Sequence, residues 1–124
     1  MVRVFLVEDY PAVSARLEAM LGAIAGVTLV GRAAAAEDAT RTILADRPDA
    51  VVLNLKLAKG SGFDVLRAVQ EQAPEIDVYV LSNLTGEPYR RRAALFGARE
   101  FFDKTTEFKR VRDLLAVRAA QTLD

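Results

Sequence analysis

Apolar residues gather into runs about one strand long at positions 4–7, 27–30, 51–53 (with Leu55 just beyond) and 78–81. Each run is rich in β-branched residues and is apolar without alternation, as expected of strands buried on both faces of a parallel sheet. Glu100-Phe101-Phe102-Asp103 is a weaker fifth candidate. The segments between them change period. Val13, Leu17, Met20, Leu21 and Ile24 share one helical face, in a segment that Asp9 is placed to cap, Pro11 to open and Gly26 to close.

A second helix is predicted over 37–46, with Ala39, Ile43 and Leu44 turned inward and Pro48 preventing its continuation. Phe63, Leu66 and Val69 mark a third after Gly60-Ser61-Gly62, and a fourth runs from near Glu87-Pro88 to Gly97. The last follows Thr105-Thr106 through Phe108, Val111, Leu114 and Leu115. Strand then helix, five times over with short connections, predicts an open α/β sheet with right-handed crossovers.

The chain has 124 residues, 52% of them hydrophobic, enough for one domain with one substantial core. Its 17 basic and 17 acidic residues cancel, so no net field draws the molecule to nucleic acid or to an anionic membrane. No apolar stretch approaches the roughly 20 residues that span a bilayer, and the N-terminal run is too short for a signal-peptide core. A cytoplasmic protein is expected. Without Cys or His, disulfides, thiolate nucleophiles, imidazole bases and the usual zinc ligands are all excluded.

In an open α/β sheet, ligands bind beyond the carboxyl ends of the strands. Glu8 and Asp9 follow the first run, Asn54 and Lys56 the third, Ser82 the fourth and Lys104 the fifth. Two adjacent carboxylates and a third oxygen donor make a hard pocket of the kind magnesium occupies, and a hydroxyl and an ammonium nearby suit a phosphoryl group.

At these positions the chain resembles the receiver domains of two-component response regulators. The resemblance is carried by Val4-Phe5-Leu6-Val7-Glu8-Asp9, by Pro48-Asp49-Ala50-Val51-Val52-Leu53 leading to Asn54, and by Gly60-Ser61-Gly62-Phe63. Val80-Leu81-Ser82 and Phe101-Phe102-Asp103-Lys104 extend it to nearly the whole chain. It implies one three-layer αβα domain over residues 1–124, five helices around a five-stranded parallel sheet in the flavodoxin-like order 2-1-3-4-5, and no output domain within it. It also implies a magnesium site from Glu8, Asp9, residue 54 and the Lys56 carbonyl, phosphoryl contacts from Ser82 and Lys104, and a switch formed by Ser82 and Phe101. The partners implied are a sensor histidine kinase or another signalling protein, met through Tyr89, Arg92 and the surface near Lys109, with a homodimer allowed and no direct contact with nucleic acid or membrane.

The departure from the family lies at Asn54, which stands where the resemblance places a phosphate-accepting aspartate. A carboxamide is neutral and its nitrogen lone pair is delocalised, so no aspartyl phosphate forms there. The charge lost also weakens any magnesium site, and Lys104, left without an anionic neighbour at 54, is expected to turn to Glu8 or Asp9. Two readings follow: a pseudo-receiver acting as a protein-interaction module, or an engineered Asp-to-Asn inactive form of an ordinary phosphoaccepting receiver. In neither is the chain as written an enzyme. A flavin-binding protein of the same fold is the distant alternative, disfavoured because Glu8-Asp9-Tyr10-Pro11 would repel a phosphate. Simpler roles exist too: Asn54 as a buried residue satisfied by Lys104 and main chain, Phe101 and Phe102 as core, and Arg90-Arg91-Arg92 as a solvated helix face.

Overall fold

A computed structural model describes residues 1–121. Five strands, β1 (Val2–Val7), β2 (Val27–Ala33), β3 (Ala50–Leu53), β4 (Asp77–Ser82) and β5 (Glu100–Asp103), alternate with five helices. The helices are α1 (Pro11–Gly22), α2 (Ala36–Asp46), α3 (Gly62–Gln72), α4 (Glu87–Leu95) and α5 (Phe108–Gln121). All strand pairs are parallel and the sheet order is β2-β1-β3-β4-β5, the flavodoxin-like order expected from the sequence.

Side chains alternate across a strand, so each apolar run feeds two cores. Phe5, Val7, Val51, Leu53, Val78 and Val80 meet α2, α3 and α4 through Ile43, Leu66, Val69 and Ala93. Val4, Leu6, Val52, Tyr79 and Leu81 point the other way, onto Leu17 and Leu21 of α1 and Val111 and Leu115 of α5. The neighbours Phe101 and Phe102 divide likewise: Phe102 is buried on the α1/α5 side, whereas Phe101 packs, half-buried, against the other. Full burial of each such aliphatic side chain contributes about 1.5 to 3 kcal/mol, which holds the strand ends in register.

The helix boundaries differ from the sequence expectation at α1. Its N-cap is Tyr10, with no side-chain cap, because the Asp9 carboxylate turns away to another partner; Pro11 opens the helix as expected. The helix ends at Gly22, and Gly26, at φ 84°, belongs to the turn into β2. At the third helix Ser61 is the cap, its hydroxyl accepting from the Phe63 amide at 3.1 Å. No helix among the described residues is long and apolar enough to cross a membrane.

Candidate functional site

The carboxyl ends of β1, β3, β4 and β5 open into a cleft of about 610 Å³ whose lining includes Glu8, Asp9, Asn54, Lys56, Ser82 and Lys104. Parallel register delivers them to one level, since Val7 pairs with Leu53 and Ser82 with Asp103. The residues named from the sequence therefore converge, although they come from the ends of four separate strands.

Glu8 is the hub. Its side chain is 1% exposed and Lys104 only 12%, with Lys104 Nζ 2.6 Å from Glu8 Oε1. The expected turn of Lys104 towards the acid pair thus selects Glu8. The other oxygen, Oε2, accepts from the Tyr10 amide at 3.1 Å and faces Asn54 Nδ2 at 3.4 Å. Asn54 Nδ2 also donates to the Lys56 carbonyl at 2.7 Å. Of the simpler expectation that Lys104 and main chain satisfy a buried Asn54, the burial and the main-chain part hold, through the Lys56 carbonyl, whereas Lys104 bonds the Glu8 carboxylate. Asp9 Oδ2 accepts from the Ala58 amide at 2.8 Å, a main-chain contact with no signature in the sequence.

Ser82 is fully buried, and its Oγ accepts from the Leu84 amide at 2.9 Å, bracing the β4–α4 loop. Thr105 Oγ1 reaches Asn83 Oδ1 at 3.3 Å and ties that loop to the one carrying Lys104. Close main-chain approach completes the floor. A Cβ at Gly62 would lie 2.3 Å from the Asn54 carbonyl oxygen, so only glycine lets α3 start against β3's end.

The arginines of α4 largely form the solvated face expected of them, Arg91 and Arg92 being exposed and Arg90 half-buried, but two of them also stack on aromatic rings. The Arg90 guanidinium lies 4.6 Å from the centre of the Phe101 ring and its Nε donates to the Thr85 carbonyl at 2.9 Å. Arg92 lies 4.5 Å over Phe63, which meets Phe96 edge-on at 6.1 Å. Periodicity could not disclose these pairs, because the aromatic partners sit on β5 and α3. Arg91 and Arg92 are exposed, as are Tyr89 and Lys109. Among the described residues no three acidic side chains gather into a cluster suited to a metal ion.

An αβα domain of this strand order, with acid pair, amide, hydroxyl and lysine at one end of the sheet, defines a flavodoxin-like domain of receiver type. The chain belongs to the response regulator receiver domain family, whose sequence model matches residues 4–116. It is 34% identical over 98 residues to the DNA-binding transcriptional activator DevR/DosR of Mycobacterium tuberculosis, covering 79% of this chain and 45% of that protein. The chain spans about half the length of several curated relatives it matches. Among solved structures, the receiver domain of the putative response regulator NarL from M. tuberculosis superposes with a TM-score of 0.86 at 24% identity, covering 96% of both chains. The CheX-CheY-BeF3-Mg complex from Borrelia burgdorferi matches at a TM-score of 0.78 and 22% identity, covering 92% of this chain and 89% of that one. The chain is therefore a receiver domain of two-component signalling, a class of signalling modules that are in general not enzymes.

Proposed function

We propose that this chain is a pseudo-receiver: a receiver that takes no phosphoryl group at Asn54 and signals through protein contacts. The observation that carries the reading is the Asn54 carboxamide at the end of β3, its nitrogen donating to the Lys56 carbonyl at 2.7 Å. Phosphoryl transfer from a histidine kinase needs an anionic oxygen to attack phosphorus, and a carboxamide supplies neither the charge nor a free lone pair on nitrogen. Lys104 and Ser82, which would hold phosphoryl oxygens, are already engaged with Glu8 and the Leu84 amide.

The same groups do not fit a divalent cation as they are arranged. Magnesium takes oxygen ligands in a tight octahedron. Here Glu8 Oε1 faces an ammonium, Glu8 Oε2 and the Lys56 carbonyl face amide protons, and Asp9 Oδ2 accepts from the Ala58 amide. Weak or no magnesium binding is the expected outcome. Its partners are a sensor histidine kinase or another signalling protein, with a homodimer as a further possibility in the same class. Tyr89 and Lys109 offer exposed contacts, and Arg92 offers a guanidinium held in place over Phe63.

The test is intact-mass measurement after incubation with a small phosphodonor and magnesium, on this chain and on Asn54→Asp. The expected result is no phosphate adduct on the chain as written. A stable adduct on it would overturn the reading. Uptake by Asn54→Asp alone would favour the alternative that the remainder of the pocket is competent for phosphoryl transfer.

A further inference from the structure

We infer that Asn54 and Asp9 act together as a staple that closes the β3–α3 loop, residues 54–61, onto β1, so that closure depends on neither a phosphoryl group nor a cation. This deepens the pseudo-receiver reading and rests on it for the identity of the pocket, but its evidence is separate: it concerns what holds the loop, not what attacks phosphorus.

The loop is a small closed hairpin. Lys56 bridges antiparallel to Ser61, the Gly62 amide donates to the Leu55 carbonyl at 2.8 Å, and the Lys59 carbonyl accepts from the Ala36 amide at 3.0 Å at the start of α2. Those contacts fix its outer side. On its inner side, towards β1, the Asn54 main-chain amide donates to the Val7 carbonyl at 3.0 Å, and two side chains make the remaining contacts. Asp9 Oδ2 takes the Ala58 amide, and Asn54 Nδ2 spans the Lys56 carbonyl and Glu8 Oε2.

The orientation of the carboxamide follows from its neighbours. Turned over, it would present Oδ1 to a carbonyl and a carboxylate at 2.7 and 3.4 Å, three acceptors with no proton among them. With the nitrogen inward, two N–H groups carry partial positive charge to the two oxygens. The amide thus does electrostatically what a cation between them would do, without needing to be recruited from solution. An Asn54→Asp change removes those donors and adds a third carboxylate beside Glu8 and Asp9. Crowded carboxylates repel unless a proton or cation joins them. Closure of the loop then becomes cation-dependent.

Asp9 has a distinct part in the staple. It works as a hydrogen-bond acceptor, a part that an asparagine oxygen also plays. Asp9→Asn therefore preserves the bond to Ala58, whereas Asp9→Ala abolishes it.

The reporter is amide hydrogen exchange at Ala58, measured by NMR in chelator and in millimolar magnesium, with β1 and β4 amides as internal controls for global stability. For the chain as written, Ala58 protection is expected to be the same in both buffers. For Asn54→Asp in chelator it is expected to drop by about tenfold or more, as a locally opening loop does, and to recover with magnesium while the strand amides hold. Asp9→Asn is expected to stay protected and Asp9→Ala to lose protection. The staple is overturned if magnesium slows Ala58 exchange in the unaltered chain as much as in Asn54→Asp, or if Asn54→Asp is equally protected in chelator. Phosphate uptake is read by mass on separate samples, so failure of the pseudo-receiver reading is distinguishable from failure of the staple.

Discussion

Each end of the sheet carries a charged cluster, and the two are built on opposite terms. At the amino ends, Arg118 pairs with Asp77, reaches the Tyr79 hydroxyl at 3.1 Å and the Asp49 carbonyl at 3.3 Å, and stays 25% exposed beside an acid 32% exposed. Arg3 works the same end: its amide donates to Asp49 at 2.8 Å and its guanidinium to the carbonyls of Asp46 and Arg47, closing the end of α2. Those bonds are half in water, directed at main chain and neighbouring strands, and they fasten helices to the sheet. At the carboxyl ends the pair Glu8 and Lys104 is nearly dry. A dry ion pair gains little net stability because desolvation offsets its attraction, yet it is costly to break. The amino end is fastening. The carboxyl end is a buried arrangement that is costly to assemble and costly to break.

That contrast can be broken experimentally. The largest effect is expected at Lys104. Lys104→Met leaves Glu8 buried without its partner and should cost about 3 to 5 kcal/mol in urea unfolding, the range for an orphaned buried charge. Adding Glu8→Gln to Lys104→Met should recover much of that loss. If Lys104→Met alone is nearly neutral, the pair is wetter than its geometry implies. A smaller loss, about 1 to 2 kcal/mol, is expected for Arg118→Ala, because water partly replaces its bonds. The charged guanidinium is worth keeping there: burial works against it, but the Tyr79 hydroxyl and the Asp77 carboxylate outweigh burial and raise its pKa above the ordinary arginine value. A loss for Arg118→Ala matching that of Lys104→Met would erase the distinction between the two ends.

The smallest effect concerns pH at the turn that carries Lys104. The Glu107 carboxylate accepts from the Asp103 amide at 2.9 Å, and this main-chain bond, opposed by partial burial and aided by Arg110 and Arg90, holds its pKa below the ordinary glutamate value. A carboxyl group with a depressed folded pKa contributes stability at neutral pH that is lost as pH falls through that value. Glu107→Gln should therefore flatten the acid limb of the stability curve by lowering the neutral and alkaline plateau, without changing the slope there. A carboxyl titration of Glu107 by NMR with a midpoint at or above that of an unperturbed glutamate would contradict the assignment.

The fold was legible because its signals are local. Unbroken apolar runs at 4–7, 51–53 and 78–81 imply strands covered on both faces, and helical spacing between them implies the covers. The site was legible as a set of strand-end residues, because parallel register brings carboxyl ends level. The partners of those residues were not. Asp9 was placed to cap α1 and instead holds the Ala58 amide across the pocket. Asn54 was matched with Lys104 and main chain; the main-chain partner is the Lys56 carbonyl, and Glu8 stands where Lys104 was expected. In each case two or more acceptors and donors lie within reach of one side chain, and three-dimensional distance decides among them. The Arg90 contact with Phe101 escaped for a related reason, since successive arginines on a short helix give no clue to an aromatic ring on a neighbouring strand.

Closure of this receiver's pocket by its own Asn54 carboxamide is the inference these contacts support. Its most direct test is the side-chain NH2 resonance pair of Asn54, followed by ¹⁵N-edited NMR as magnesium is added. Two slowly exchanging protons, the one on the Lys56 carbonyl shifted downfield, with both positions unmoved by millimolar magnesium, are the predicted result. Rapidly exchanging protons at the positions of a solvated amide, or a pair that moves progressively as magnesium is added, would contradict it.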